Sequence, residues 1–173
     1  NRKFYSNDPT FATRESAGEA ASMAQYIDIW KRLSTDIQKS PEVLARCYKE
    51  TVNGVKLLNE QRDEEAVEFF KAAALHAYPG AMAYLGYCYI YEKGVEENKE
   101  LGYRSLKMAA EQNDDNAWFF MGKYHATGEG EEVDYSAAFD CYMRAAEKGH
   151  KQAQTEIAIM YEEGKGVATS DSM

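Results

Sequence analysis

The feature that most constrains this chain is an internal repeat. From Ala81 it reads "AMAYLGYCYIYEKGVEENKELGYRSLKMAAEQNDDN", and from Ala117 "AWFFMGKYHATGEGEEVDYSAAFDCYMRAAEKGHKQ". Each segment is 36 residues long, and the two align without a gap. A third begins at Ala153 and continues for 21 residues. Leu85, Met121 and Ile157 occupy one column; Gly86, Gly122 and Ala158 another; Gly94, Gly130 and Gly166 a third. Self-similarity at this period describes a supersecondary unit that buries its apolar face only by stacking on its neighbours.

Within a unit the pattern predicts a helix, a loop and a second helix. Trp118, Met121, Gly122 and His125 fall at i, i+3, i+4 and i+7 along a first helix over Ala117 to Thr127. Gly128 and Gly130 close it, because glycine accepts the left-handed backbone that ends a helix. Asp134, and Asn98 one unit earlier, are suited to cap the second helices, and Lys148 with Gly149 to finish the next one. Small residues at Gly86 and Gly122, Ala109 and Ala145 let paired helices approach closely. Upstream, Gly54, Ala66, Phe70 and Ala73 fit the same pattern over about residues 45–80, with a loop four residues shorter. The last helix, about Lys151 to Glu163, would close the stack with Lys151, Gln152, Glu156 and Glu163 facing water.

The pattern A-x-x-x-L-G-x-x-Y-x-x-G-x-G-V … A-A-E-x-G resembles the Sel-one-like repeat, a relative of the tetratricopeptide repeat. It covers residues 45–173, in units of about 45–80, 81–116 and 117–152 with a partial one at 153–173. His125 stands where the family carries tyrosine, Glu92 at the first loop glycine and Ala158 at the helix glycine. The resemblance implies an all-α fold, an α/α solenoid of tetratricopeptide-like helix-turn-helix repeats wound as a right-handed superhelix. It also implies a concave wall lined by the first helices. Carried onto this chain by the glycine columns, the wall comprises Tyr48 and Val55, then Ala83, Tyr87, Ile90 and Tyr91, then Asn116, Phe119 and Lys123. Thr51, Asn59 and Thr127 fall on the same face. Large aromatic side chains there suit the capture of a peptide segment.

Before the repeats, residues 1–14 have no periodicity and read as an extended arm. Residues 15–40 turn helical, with Met23, Ile27, Trp30, Leu33 and Ile37 along one face, a stripe suited to packing on the solenoid or capping its N-terminal end. Ser40 and Pro41 then start a helix that runs to about Asn59, the first element of a repeat domain spanning 41–173.

Charge narrows the partners. Net charge is −9, and residues 41–173 carry 14 Lys/Arg against 24 Asp/Glu, so the body is at −10. That field repels nucleic-acid phosphates and anionic membranes and favours a neutral or basic protein. No apolar run approaches the ~20 residues that a membrane span needs. Cys47, Cys88 and Cys141 are odd in number and widely spaced, which points to a reducing compartment, cytoplasm or mitochondrion.

Chemical motifs are lacking. "MGKYHATGEGEE", Met121 to Glu132, has glycines, a lysine and a threonine but not the GxxxxGK[ST] order, and its three glutamates would repel phosphate. No serine has a lysine three residues on, and no HExxH or Cys/His ligand cluster occurs. His125 reads as a packed core residue, His76 and His150 as helix-end cations, and the acidic pairs, among them Asp114-Asp115, as solvated surface. No cofactor and no metal is expected. The chain therefore reads as a non-catalytic interaction module that binds a partner segment on its concave face. The alternative is a structural subunit or assembly factor within a larger complex, its N-terminal arm lying on neighbouring subunits.

Overall fold

The computed structural model describes residues 23–33 and 40–167. The proposed arm at 1–14, the start of the helix near Glu15, Ile37 and the final residues 168–173 lie outside this range. Among the described residues there are eight helices and no strand. After α1 (Met23–Leu33) come three helix pairs: α2 (Pro41–Asn59) with α3 (Asp63–Ala74), α4 (Pro79–Ile90) with α5 (Lys99–Glu111), and α6 (Asp115–Thr127) with α7 (Tyr135–Glu147). Helix α8 (Lys151–Glu163) packs on α7.

The ends of these helices follow from local chemistry. Ser40 Oγ accepts from the Val43 amide at 3.2 Å, Asn98 Oδ1 from Leu101 at 3.2 Å and Asp134 Oδ1 from Ala137 at 3.0 Å. Each satisfies a first-turn N–H that has no partner within its helix. Gly128 and Gly164 end α6 and α8 with φ of 70° and 68°. Glu92, in the same column, takes φ 52° without being glycine, so the first loop keeps the family's left-handed turn at some steric cost.

Paired helices meet at the glycine column. A Cβ at Gly54 would lie 2.5 Å from the Phe70 ring, and one at Gly122 would lie 2.6 Å from the Tyr142 ring. At Gly86 the neighbour is backbone, with Gly102 O only 2.7 Å from the same hypothetical atom. Phe70, Leu106 and Tyr142 form one register column, and each is buried at its pair's interface. Cys47, Cys88 and Cys141 are buried thiols in this core, one in each of the three pairs.

Successive first helices α2, α4 and α6 pack against one another, whereas successive second helices make no comparable contact. The stack therefore curves with the first helices inside. Helix α1 has Met23, Tyr26, Ile27 and Trp30 buried, as its apolar stripe demands. It packs on the solenoid. It lies along the second helices, in contact with α5, and the Trp30 indole N–H donates to Ala74 O at the end of α3 at 2.6 Å. The indole needs an acceptor once buried, and an orphan carbonyl at a helix C-terminus supplies one.

Candidate functional site: a cleft between the first helices

All four first helices contribute to one cleft of about 800 Å³. Val55, Leu58 and Asn59 come from α2, Tyr84 and Tyr87 from α4, Phe119, Phe120 and Lys123 from α6, and Gln152, Thr155 and Glu156 from α8. Asp63 and Lys93 stand at its margin.

The wall is an aromatic chain that runs from unit to unit. Phe70 stacks on Tyr84 at 5.2 Å, Tyr84 meets Phe120 edge-on at 5.1 Å, and Phe120 stacks on Tyr87 at 4.7 Å. Phe119 stacks on the His150 ring at 4.6 Å. Interlocked rings of this kind present a rigid apolar surface whose ordering entropy is spent on folding rather than on binding. Burial raises the Tyr84 phenol to about 12, with Asp114 and Asp115 adding to it. Burial, then Cys88 and Asp63, also raises Tyr87. Both stay neutral and available as hydrogen-bond donors at any physiological pH.

Of the residues placed on this wall by sequence, Val55, Tyr87, Phe119 and Lys123 line the cleft, as does Asn59. Tyr91 lies beside Tyr87 at the rim, 5.0 Å between ring centres, with its hydroxyl 3.4 Å from Thr127 Oγ1. Tyr48 is on α2 and 62% exposed but does not line the cleft. Four further assignments are corrected: Ala83, Ile90, Asn116 and Thr51 do not line the cleft. Ala83 is fully buried because its side chain ends at Cβ, whereas Phe119 in the same column is long enough to emerge. Ile90 is 1% exposed and faces the other way, into the α4–α5 contact, where a Cβ on Gly102 would lie 2.8 Å from its Cγ1. Asn116 does structural work instead, with Oδ1 at 3.0 Å from His150 Nε2. Thr51 likewise turns inward and donates to Cys47 O at 2.8 Å.

The histidines and acidic pairs also need revision. His150 is the N-cap of α8, not a cation at the end of α7: its Nδ1 accepts from the Ala153 amide at 3.2 Å. Burial lowers its pKa, so the capping form is the neutral ring. His76 lies 3.3 Å from Arg46 Nη2, next to a permanent cation. His125 is half-buried, 3.1 Å from the Tyr103 hydroxyl, rather than sealed in the core. Asp114 is not solvated: it caps α6 through Ala117 at 2.9 Å, and burial raises its carboxyl to about 6.

Sequence reasoning passed over Tyr84 and Phe120. The signal was available, since the two share a register column three residues before Tyr87 and Lys123. Among the described residues no group of three or more His, Cys, Asp or Glu is placed to hold a metal ion. No helix there is long and apolar enough to cross a membrane.

The sequence pattern of the Sel1 repeat matches residues 79–114, 117–150 and 151–172, more than half of the chain. The chain belongs to the Sel1 repeat family. Its fold is similar to the crystal structure of a Sel1 repeat protein from Oxalobacter formigenes, with a TM-score of 0.59 at 28% identity over 86% of this chain and 64% of that one. It is also similar to c5321, a protective antigen of uropathogenic Escherichia coli displaying an SLR fold, with a TM-score of 0.55 at 25% identity over 89% of this chain and 36% of that one. Proteins named DAP3-binding cell death enhancer 1 from Mus musculus and Rattus norvegicus are 28% and 27% identical over 104 residues. Those residues are 60% of this chain but only 20% of the length of these curated relatives. Sel1 repeats generally mediate protein–protein interaction and are generally non-enzymatic.

Proposed function

We propose that this Sel1 chain is a non-catalytic adaptor that holds a segment of a neutral or basic partner protein in the cleft of its first helices. The observation that carries this reading is the convergence of four first helices on one cleft with an interlocked aromatic wall. Such a surface offers apolar contact at the centre and Asn59, Gln152 and Thr155 at the edge, the usual division of a binding face. Two relatives are named for binding another protein, which supports a protein as the class of partner.

Affinity capture of partners with the purified chain, followed by titration of the captured partner against Tyr87→Ala and Phe119→Ala, tests the reading. Each truncation is expected to weaken binding roughly tenfold or more while the helical circular dichroism is retained. Unchanged affinity in correctly folded variants would remove the cleft from the function. A chain that is soluble only when co-produced with a neighbouring subunit would favour a permanent structural role.

A further inference from the structure

The rim of the cleft holds a feature that peptide capture alone does not require. Tyr87 and Tyr91, one helical turn apart at the end of α4, open toward each other with 5.0 Å between ring centres and 42° between planes. Lys123 Nζ sits over this pair, 5.5 Å from the Tyr87 centroid and 5.3 Å from the Tyr91 centroid. Both distances are within the ~6 Å over which a ring's negative face attracts a cation. No carboxylate among the described residues forms an ion pair with Lys123. Its ammonium lies over the two rings.

Register makes the arrangement more pointed. Lys123 occupies the column filled by Val55, Tyr87 and Ile159 in the other units, and it reaches back from the third unit to the tyrosines of the second. Two carboxylates lie near enough to act electrostatically on the pair, Asp63 on the Tyr87 phenol and Glu129 on that of Tyr91. Glu129 is already engaged with Lys99 at 2.8 Å, while Asp63 forms no ion pair among the described residues. With the body at −10, the surrounding field also favours a positive visitor.

We propose that Tyr87 and Tyr91 form a seat for a cationic side chain, held in the unbound protein by Lys123 and taken on binding by a lysine or arginine of the partner segment. The inference rests on the cleft being the partner site and adds the chemistry of the residue received there. Lys123 acts as a placeholder: it occupies the space over the ring faces, and leaves into solvent on its flexible stem when a partner cation arrives. Arginine suits the seat better than lysine, because its planar guanidinium stacks on a ring and is more weakly hydrated.

The test uses the whole chain and three synthetic peptides, acetyl-Phe-Leu-Arg-Leu-amide, its citrulline form and its glutamate form. Binding is followed by NMR of the tyrosine ring and backbone resonances. For the parent chain, the arginine peptide is expected to shift the Tyr87 and Tyr91 ring signals and to bind roughly three- to tenfold more tightly than the neutral citrulline form. Lys123→Ala, with Lys123→Gln as a second variant that keeps the stem, is expected to tighten the arginine peptide several-fold and leave the citrulline peptide unchanged. Tyr91→Leu is expected to erase the arginine preference.

Equal binding of the arginine and citrulline peptides, or weaker arginine binding in the Lys123 variants, would overturn the seat while leaving cleft capture standing. A glutamate peptide that binds best and depends on Lys123 would overturn it in favour of Lys123 as an anion receptor. If no peptide shifts the Phe119 or Thr155 signals at millimolar concentration, and the captured partner is indifferent to Phe119→Ala, the seat and the cleft reading fall together.

Discussion

The second and third units share a register and spacing, yet they close their helix pairs differently. In the second, Gly86 faces Gly102 and two backbones touch, with Gly102 O 2.7 Å from where a Cβ would sit. In the third, Ala138 takes the place of Gly102, and Gly122 instead admits the face of Tyr142 at 2.6 Å. The same conserved-looking signature, a glycine in mid-helix, serves backbone contact in one unit and ring insertion in the next. A backbone atom cannot retreat without bending its helix, whereas a ring can be exchanged for a smaller side chain. The fourth first helix completes the comparison: Ala158 stands in the glycine column, is exposed, and has no second helix packed on it among the described residues.

These differences set a graded series of experiments. The largest effect is expected at Gly86→Ala, a loss of about 2–3 kcal/mol in urea denaturation even after the helix-propensity gain of alanine. Leu106→Ala should not restore it, because the obstacle is Gly102 O; restoration would show that the backbone contact does not control this pair. Gly122→Ala should cost less, about 1–2 kcal/mol, and Tyr142→Leu in the same chain should recover part of it, a non-additivity that a double-mutant cycle reads directly.

The helix caps of neighbouring units offer a third contrast, this time in pH. The folded pKa of Asp114 is raised to about 6, so its contribution is fully present below 3.8 and is lost as pH rises through about 6. That of His150 is lowered, so its contribution is present above 6.5 and is lost as pH falls through the depressed folded value. Asparagine caps helices well in either position. Relative to the parent, Asp114→Asn should therefore lose about 2 kcal/mol between pH 7 and pH 4, and His150→Asn should gain stability as pH falls from 7 to 5. Parallel pH profiles for parent and variants would mean that the two caps do not titrate as described. The smallest effect is expected at Ala158→Gly, about 0.5–1 kcal/mol, from helix propensity alone. A gain in stability there would reveal a helix that needs the space.

Much of this architecture was legible in the sequence because the repeat compares the chain with itself. The glycine columns gave the helix pairs, and Asn98, Asp134 and Ser40 marked true starts, since capping is decided within a few residues. The cleft was only partly legible. Ala83 and Phe119 share a column, yet one is sealed and the other exposed to the cleft, a matter of side-chain length that register does not carry. Ile90 was misplaced because one turn of helix covers both the cleft and the α5 contact, and only the crossing of the two helices decides between them. His150 and Asp114 belong to the joints between units, where a residue that follows one helix caps the next. Helix α1 was recognised by its stripe, but a stripe does not say which of two apolar surfaces will receive it.

The three buried thiols give the molecule an internal clock. Burial raises the Cys141 thiol to about 11 and pushes Cys88 higher still, so neither reacts with an alkylating reagent until its helix pair opens. Cys47 is sealed as completely as Cys88, whereas Cys141 is 7% exposed. One cysteine per pair means that each unit announces its own opening by its own labelling rate. The order in which the three masses appear would trace how unfolding travels along the stack.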